Sequence, residues 1–509
     1  MITWQIFTEK GQAFTSQIRE THPVPPGGMS STMCFWPYSQ KQSWPEGTYS
    51  VYVTVNGSAP MVGQFHVISL DSLKTGSKSS RPVEKETKSA PESAGRKDDK
   101  VALFTLGYEY QYGQGRKLDY VKAVECYRKS AELGYAPAQN NLGWMYENGL
   151  GIRQDDGEAC KWYRMSADQR HANAQNNLGW MYENGRGVRQ DFSEAYKWYR
   201  KAADQNFADA QNNVGRCFAN GWGVRQDYFE SCKWYRKAAD QNEKFAQNNL
   251  GWMYENGRGT RQDYSEAYQW YRKSADQNHA DAQNNVGRCF QNGWGVKQDD
   301  AEACKWYRRA ADQNEKFAQN NLGWMYENGR GVKKDYTEAY QWYRKAADQN
   351  HAEAQNNIGR CFLGGWGVQQ NDAEAFKWFR KAADQNEKYA QNNLGWMYEN
   401  GRGVKQDYSE ACKWYRKSAD QKLAAAQNNV GRCFVKGWGV KKDYGEAAKW
   451  YLKSAEQNDP NGEFNLASLY ENGLGVPKNL ETAKMYYQRS AQHGYHGALE
   501  KYQSLTKAK

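Results

Sequence analysis

The chain has 509 residues, a formal charge of +11, 25% charged residues and a mean hydropathy of -1.04. Taken alone, that polarity would suit a solvated polymer; Trp 21, Tyr 36 and Phe 17 exclude it, because so many rings must be buried or presented somewhere. No run approaches the ~18 consecutive apolar residues of a membrane span, so no membrane insertion is expected. Ten cysteines fall short of a disulfide scaffold. The chain has no CxxC, no HExxH and seven histidines, so no metal site, cofactor or Cys/His catalytic constellation is expected. The start, MITWQIFTEK, lacks a basic segment followed by an apolar one. This predicts a cytoplasmic protein, or a periplasmic or secreted one if a leader has been removed.

In chain order, residues 1–70 alternate as strands do: TWQIF, then Cys34 and Phe35, then GTYSVYVTVNG and QFHVI. Tyr49, Val51, Val53 and Val55 share a face, and Asn56-Gly57 is a hairpin turn signal. This predicts a small antiparallel β domain, a partial sandwich. Residues 71–100 are rich in Ser, Lys, Glu and Pro and read as a disordered charged linker. Residues 101–496 are periodic, and residues 497–509 read as a C-terminal capping helix and tail.

A glycine recurs at a step of 36, from Gly107 through Gly143 and Gly179 to Gly431, with Ala467 in an eleventh copy. At 100° per residue, Ala174, Leu178, Gly179 and Tyr182 share one helix face, and Ala195, Trp198, Tyr199, Ala202 and Ala203 share another. Each unit is therefore two amphipathic helices. Gly185 and Gly187 end the first, and Asp191 with Glu194 resembles a capping box opening the second. One helix pair cannot cover its own apolar stripe, so the units must stack into an all-α solenoid of helix-turn-helix repeats.

The pattern A-x-x-x-L-G-x-x-Y-x-x-G-x-G-V-x-x-D-x-x-x-A-x-x-W-Y-x-x-A-A resembles the Sel-1-like repeat family, relatives of the tetratricopeptide repeats. Matching residues are Ala174, Leu178, Gly179, Tyr182, Gly185, Gly187, Val188, Asp191, Ala195, Trp198, Ala202 and Ala203. The end units depart, with Arg116 and Lys117 after the first Gly-x-Gly turn, and Ala467 and Pro477 in the last unit. The resemblance implies a non-catalytic adaptor that holds other proteins, of a kind common in bacterial envelope, secretion and host-interaction systems. It implies no catalytic residues. Some cysteine-rich members carry disulfides between helices, but the cysteine placement here differs.

A finer period of 72 residues overlies the repeat. After the repeat glycine, Trp180, Trp252, Trp324 and Trp396 alternate with Arg216, Arg288, Arg360 and Arg432. Six residues on the identities swap, with Arg186, Arg258, Arg330 and Arg402 alternating with Trp222, Trp294, Trp366 and Trp438. Helical angles set Asn176, Trp180 and Glu183 opposite the core face. By analogy with tetratricopeptide arrays that face lines a concave groove, and Trp and Arg are enriched at binding hot spots. Asn212, Asn248, Asn284, Asn320 and Asn356 repeat the position of Asn176 and have the chemistry to clamp an extended peptide backbone. The candidate partner-binding set is therefore Asn176, Trp180, Glu183, Asn212, Arg216, Asn248, Trp252, Asn284, Arg288, Asn320, Trp324, Asn356, Arg360, Trp396 and Arg432. A second reading stands beside it: the Trp and Arg side chains stack on each other as a stiffening ladder, and the asparagines bond within or between helices.

Cys217, Cys289, Cys361 and Cys433 alternate with Met and read as core fillers. Cys217 with Cys232, and Cys289 with Cys304, are conceivable cross-helix pairs. The basic second helices, such as Lys197, Arg200 and Lys201, read as a solvated face rather than a nucleic-acid site. The expected function is a protein-interaction scaffold or adaptor whose partner is another protein or an extended peptide. Alternatives are an immunity or secretion-system accessory protein that neutralises or loads a toxin, or a groove for glycan or single-stranded nucleic acid. An enzyme would need His22 or His66 paired with a carboxylate in a pocket.

Overall fold

The computed structural model describes residues 99–507 in full and, before them, the backbone of three segments. These are β1 (Ile2–Thr8), β2 (Gly47–Val55) and β3 (Met61–Val67), paired antiparallel in that order with Trp4 opposite Val53 and Val53 opposite Met61. The chain divides into two compact units, residues 1–94 and 95–509. The β domain expected for residues 1–70 is not supported beyond these pairings, because the segments that would complete its core lie outside the described residues. So does the expected linker up to residue 98; Asp99 already caps a helix, its Oδ1 accepting from the Val101 N–H at 2.9 Å.

Residues 100–507 form an α-solenoid of 23 helices among the described residues, without strands. First and second helices alternate, beginning with α1 (Lys100–Tyr112) and α2 (Tyr120–Glu132). The third repeat is α5 (Ala172–Asn184) and α6 (Phe192–Ala203). The eleventh is α21 (Pro460–Asn472) and α22 (Leu480–Gln492), and α23 (His496–Lys507) closes the array. Gly185 ends α5 in the left-handed region, φ 65°, as a side chain there would resist. Asp191 opens α6, its Oδ1 accepting from the Ser193 and Glu194 N–H groups at 2.9 and 3.0 Å. The reciprocal half of a capping box is replaced by an ion pair, since Glu194 takes Lys197 Nζ at 2.7 Å.

The core runs across the repeat boundaries as well as between the two helices of each repeat. Ala195, Tyr199 and Ala202 of α6 pack against Ala210, Val214, Cys217 and Trp234 of the fourth repeat. That arrangement recurs along the array, as with Ala339 and Tyr343 against Ile358, Cys361 and Trp378. Each repeat thus supplies half of two cores and completes neither alone. The glycine at the repeat position lets the two helices touch: a Cβ on Gly179 would stand 2.7 Å from the Tyr199 ring.

This geometry separates the cysteine pairs suggested by spacing. Cys217 packs with the second helix before it, whereas Cys232 faces the repeat after it. Cys289 and Cys304 are divided in the same way. All nine cysteines among the described residues are free thiols. Burial pushes the Cys217, Cys289 and Cys361 thiols up to about 12, so they stay protonated core fillers.

Candidate partner-binding face

Successive first helices approach one another, as α15 (Ala352–Gly364) does α17 (Lys388–Asn400), and α17 precedes α19 (Ala424–Lys436), which approaches α21. Second helices have no such neighbouring pair among the stronger contacts. At these places the first helices are brought together across one side of the array.

The asparagines of the candidate set tie each first helix to the next by separate side-chain pairs. Asn213 donates to Asn176 Oδ1 at 2.8 Å, and Asn249 to Asn212, Asn285 to Asn248, Asn321 to Asn284, Asn357 to Asn320 and Asn393 to Asn356 at 2.9–3.0 Å. Asn176 is only 2% exposed. The row at Asn176 accepts and the row one residue later donates, so the acceptor oxygens serve the next repeat.

A second amide row, which the sequence reading did not single out, runs parallel to it. Gln175 Nε2 donates to the Ala167 carbonyl of the preceding repeat at 3.0 Å, and Gln175 Oε1 accepts from Gln205 at 2.7 Å. The same bridges recur down to Gln427 and Gln457. In the last repeat Glu463 and His493 take these places, joined at 2.8 Å, with Arg489 2.9 Å from the fully buried carboxylate. The signal was available as invariant Gln at two positions of every unit but the ends.

The Trp and Arg side chains assemble in two alternating patterns. In the first, Arg186 forms a bidentate pair with Asp156 of the preceding repeat at 2.6 and 2.9 Å and covers the Trp180 ring at 5.3 Å. Arg330 with Asp300 and Trp324, and Arg402 with Asp372 and Trp396, repeat it. In the second, Trp222 stacks on Phe192 of the preceding repeat at 5.5 Å while Arg216 stands over the Trp222 ring at 5.4 Å. Arg216 also reaches Glu183 at 2.7 Å, and Glu183 accepts from Tyr199 Oη at 2.7 Å. Arg288 and Glu255, Arg360 and Glu327, and Arg432 and Glu399 repeat the 2.7 Å pair. These guanidiniums are about one-third exposed, so each pair contributes modestly. The combination with a stacked ring locks their positions.

On the second helices, buried tryptophans each carry two cations. Trp198 carries Lys201 of its own helix at 3.5 Å and Arg164 of the preceding repeat at 5.3 Å. Trp234 likewise carries Lys237 at 4.2 Å and Arg200 at 4.8 Å. Much of the positive charge that looked free in sequence is thus engaged with rings and carboxylates.

Among the described residues there is no cluster of His, Cys, Asp and Glu suited to a metal ion, and no helix is long and apolar enough to cross a membrane. His22 and His66 lie outside the residues whose side chains are described.

The Sel1 repeat pattern matches eleven consecutive 36-residue stretches, from 100–135 to 460–495. Among solved structures, a protective antigen of uropathogenic Escherichia coli with this repeat fold is 34% identical, with a TM-score of 0.65, covering 81% of this chain and 88% of that one. A Sel1 repeat protein from Oxalobacter formigenes is 30% identical with a TM-score of 0.45, covering 49% of this chain and 97% of that one. No curated protein matches the chain. The eleven matched repeats and their boundary-spanning cores make this chain a member of the Sel1 repeat family.

Proposed function

We propose that the chain is a non-catalytic protein-interaction scaffold that receives another protein or an extended peptide on the inner face of the first helices. Sel1 repeat proteins typically serve as interaction scaffolds, and the solenoid is generally a non-catalytic fold. The observation that carries the choice of face is its pre-organisation: Trp180, Trp324, Trp396 and the four arginines from Arg216 to Arg432 are half-exposed yet held by neighbouring repeats. A surface whose anchors are already ordered binds with less loss of side-chain freedom.

A photo-reactive amino acid placed at Trp324 or Trp396 should capture the partner in the source cell, with the adduct identified by mass spectrometry. The same residue at Lys345 or Lys381, on the outer face, should not. Adducts from the outer positions alone would reverse the assignment.

A further inference from the structure

The alternation of the two junction patterns fails once. Where Arg186, Arg330 and Arg402 meet Asp156, Asp300 and Asp372, Arg258 meets Tyr228. It donates to the Tyr228 hydroxyl at 2.8 Å and stands 4.8 Å over that ring. Glu147, which Arg186 also approaches at 3.6 Å, has no acidic counterpart at Ala219, Gln291 or Leu363, so Tyr228 in place of the aspartate is what sets this junction apart. Without that aspartate, Arg258 lies over Tyr228 and not over the Trp252 ring, whereas its counterparts cover theirs. Trp252 is accordingly 42% exposed, the one exposed tryptophan among the described residues. Thr260 stands in this loop where Val188, Val332 and Val404 stand in its counterparts, so the loop is altered at the same place.

The fifth repeat, residues 244–279, therefore presents an open indole face next to an exposed guanidinium that holds a phenol instead of a carboxylate. The flanking charges are already matched: Arg216 holds Glu183, and Arg288 holds Glu255, which also takes Tyr271 Oη. From residue 101 onward the chain carries 58 basic against 49 acidic residues, so the long-range field also favours an anionic visitor.

We propose that Trp252 and Arg258 are the anchor point for an acidic segment of a partner protein, an apolar or aromatic side chain lying on Trp252 and an adjacent carboxylate pairing with Arg258. The proposal rests on the scaffold reading and assigns it a location and a partner chemistry. The missing carboxylate comes from the partner, and the ring that the array covers elsewhere is covered by the visitor.

The test uses the full chain and a fluorescein-labelled 12-residue peptide alternating Glu and Ser, with one Phe beside a Glu, followed by fluorescence anisotropy. Trp252→Ala and Arg258→Glu should each weaken binding about tenfold or more, as hot-spot truncations do. Tyr228→Asp should re-form the Asp-Arg-Trp pattern, raise the melting temperature and weaken the peptide to a similar degree, so loss of folding cannot account for the effect. Lys345→Ala and Lys381→Ala, on the outer face, should leave peptide affinity within about twofold. Equal binding of a peptide with Lys in place of Glu, tighter binding of a single-stranded oligonucleotide, or unchanged affinity in Tyr228→Asp would overturn the assignment. Cross-links from Trp324 and Trp396 alongside any of those results would leave the scaffold reading standing and remove only this site.

Discussion

At the scale of single residues, contact distance decides what each position tolerates. A Cβ on Gly323 would stand 2.7 Å from the Tyr343 ring, and the helices are tied there by the Tyr343 hydroxyl on Glu327 at 2.5 Å. Gly323→Ala should therefore cost about 1–3 kcal/mol, measured by chemical denaturation, through overpacking rather than lost helix propensity. The last repeat carries Ala467 in that place, at the end of the array. The recurring glycine was legible in the sequence because its step never varies. Its partner ring was not, because nothing in the spacing of Gly323 and Tyr343 says how closely two helices approach. A second residue-level expectation concerns the thiols. Native protein should alkylate slowly at Cys217, Cys289 and Cys361, where burial keeps the thiolate scarce, and rapidly once denatured.

At the scale of elements, helix starts bring acid sensitivity. His351 caps α15, its Nδ1 accepting from the Ala354 N–H at 3.2 Å, and burial beside Lys316 pushes its pKa down to about 4. His171 caps α5 in the same manner and is also lowered by burial. The unfolded chain takes up protons near the ordinary pKa of ~6.5 while the folded cap refuses them. Stability is therefore complete above ~6.5 and falls as pH drops towards 4, by about 2 kcal/mol at His351 by pH 5. His351→Asn retains a cap acceptor and should flatten that part of the pH dependence, read from urea midpoints at pH 7.5 and 5. Helix boundaries and their Gly and Asp caps were legible from local chemistry. The histidine caps were not, since only burial distinguishes a neutral acceptor from a surface imidazole.

At the scale of the whole molecule, junction chemistry imposes a two-repeat register. Asp300 expects an arginine from the next loop and Tyr336 expects a tryptophan, as Arg330 and Trp366 provide. Deleting residues 316–387 joins Asp300 to Arg402 and preserves the pattern. Deleting residues 316–351 alone sets Asp300 against Trp366 and leaves Arg360 facing Gln291 instead of Glu327. Both proteins should fold, because each core involves only neighbouring repeats. The 36-residue deletion should melt lower and less cooperatively by calorimetry; equal melting would show that the junction pairs contribute nothing to register.

The periodic sequence by itself determined the helix pairs, their number, the glycine turns and the stacking, because a 36-residue period with two amphipathic stripes has no other way to bury its rings. It also exposed the 72-residue alternation of Trp180 and Arg216. Only the tertiary structure decided what those side chains touch: Asn176 accepts from Asn213 37 residues away, Arg216 closes on Glu183, and Arg258 abandons Trp252 for Tyr228. Such pairings depend on the offset between one repeat and the next. That offset is set by how far Ala, Tyr and Trp side chains interlock at each boundary, a quantity that helical periodicity within a single repeat does not contain.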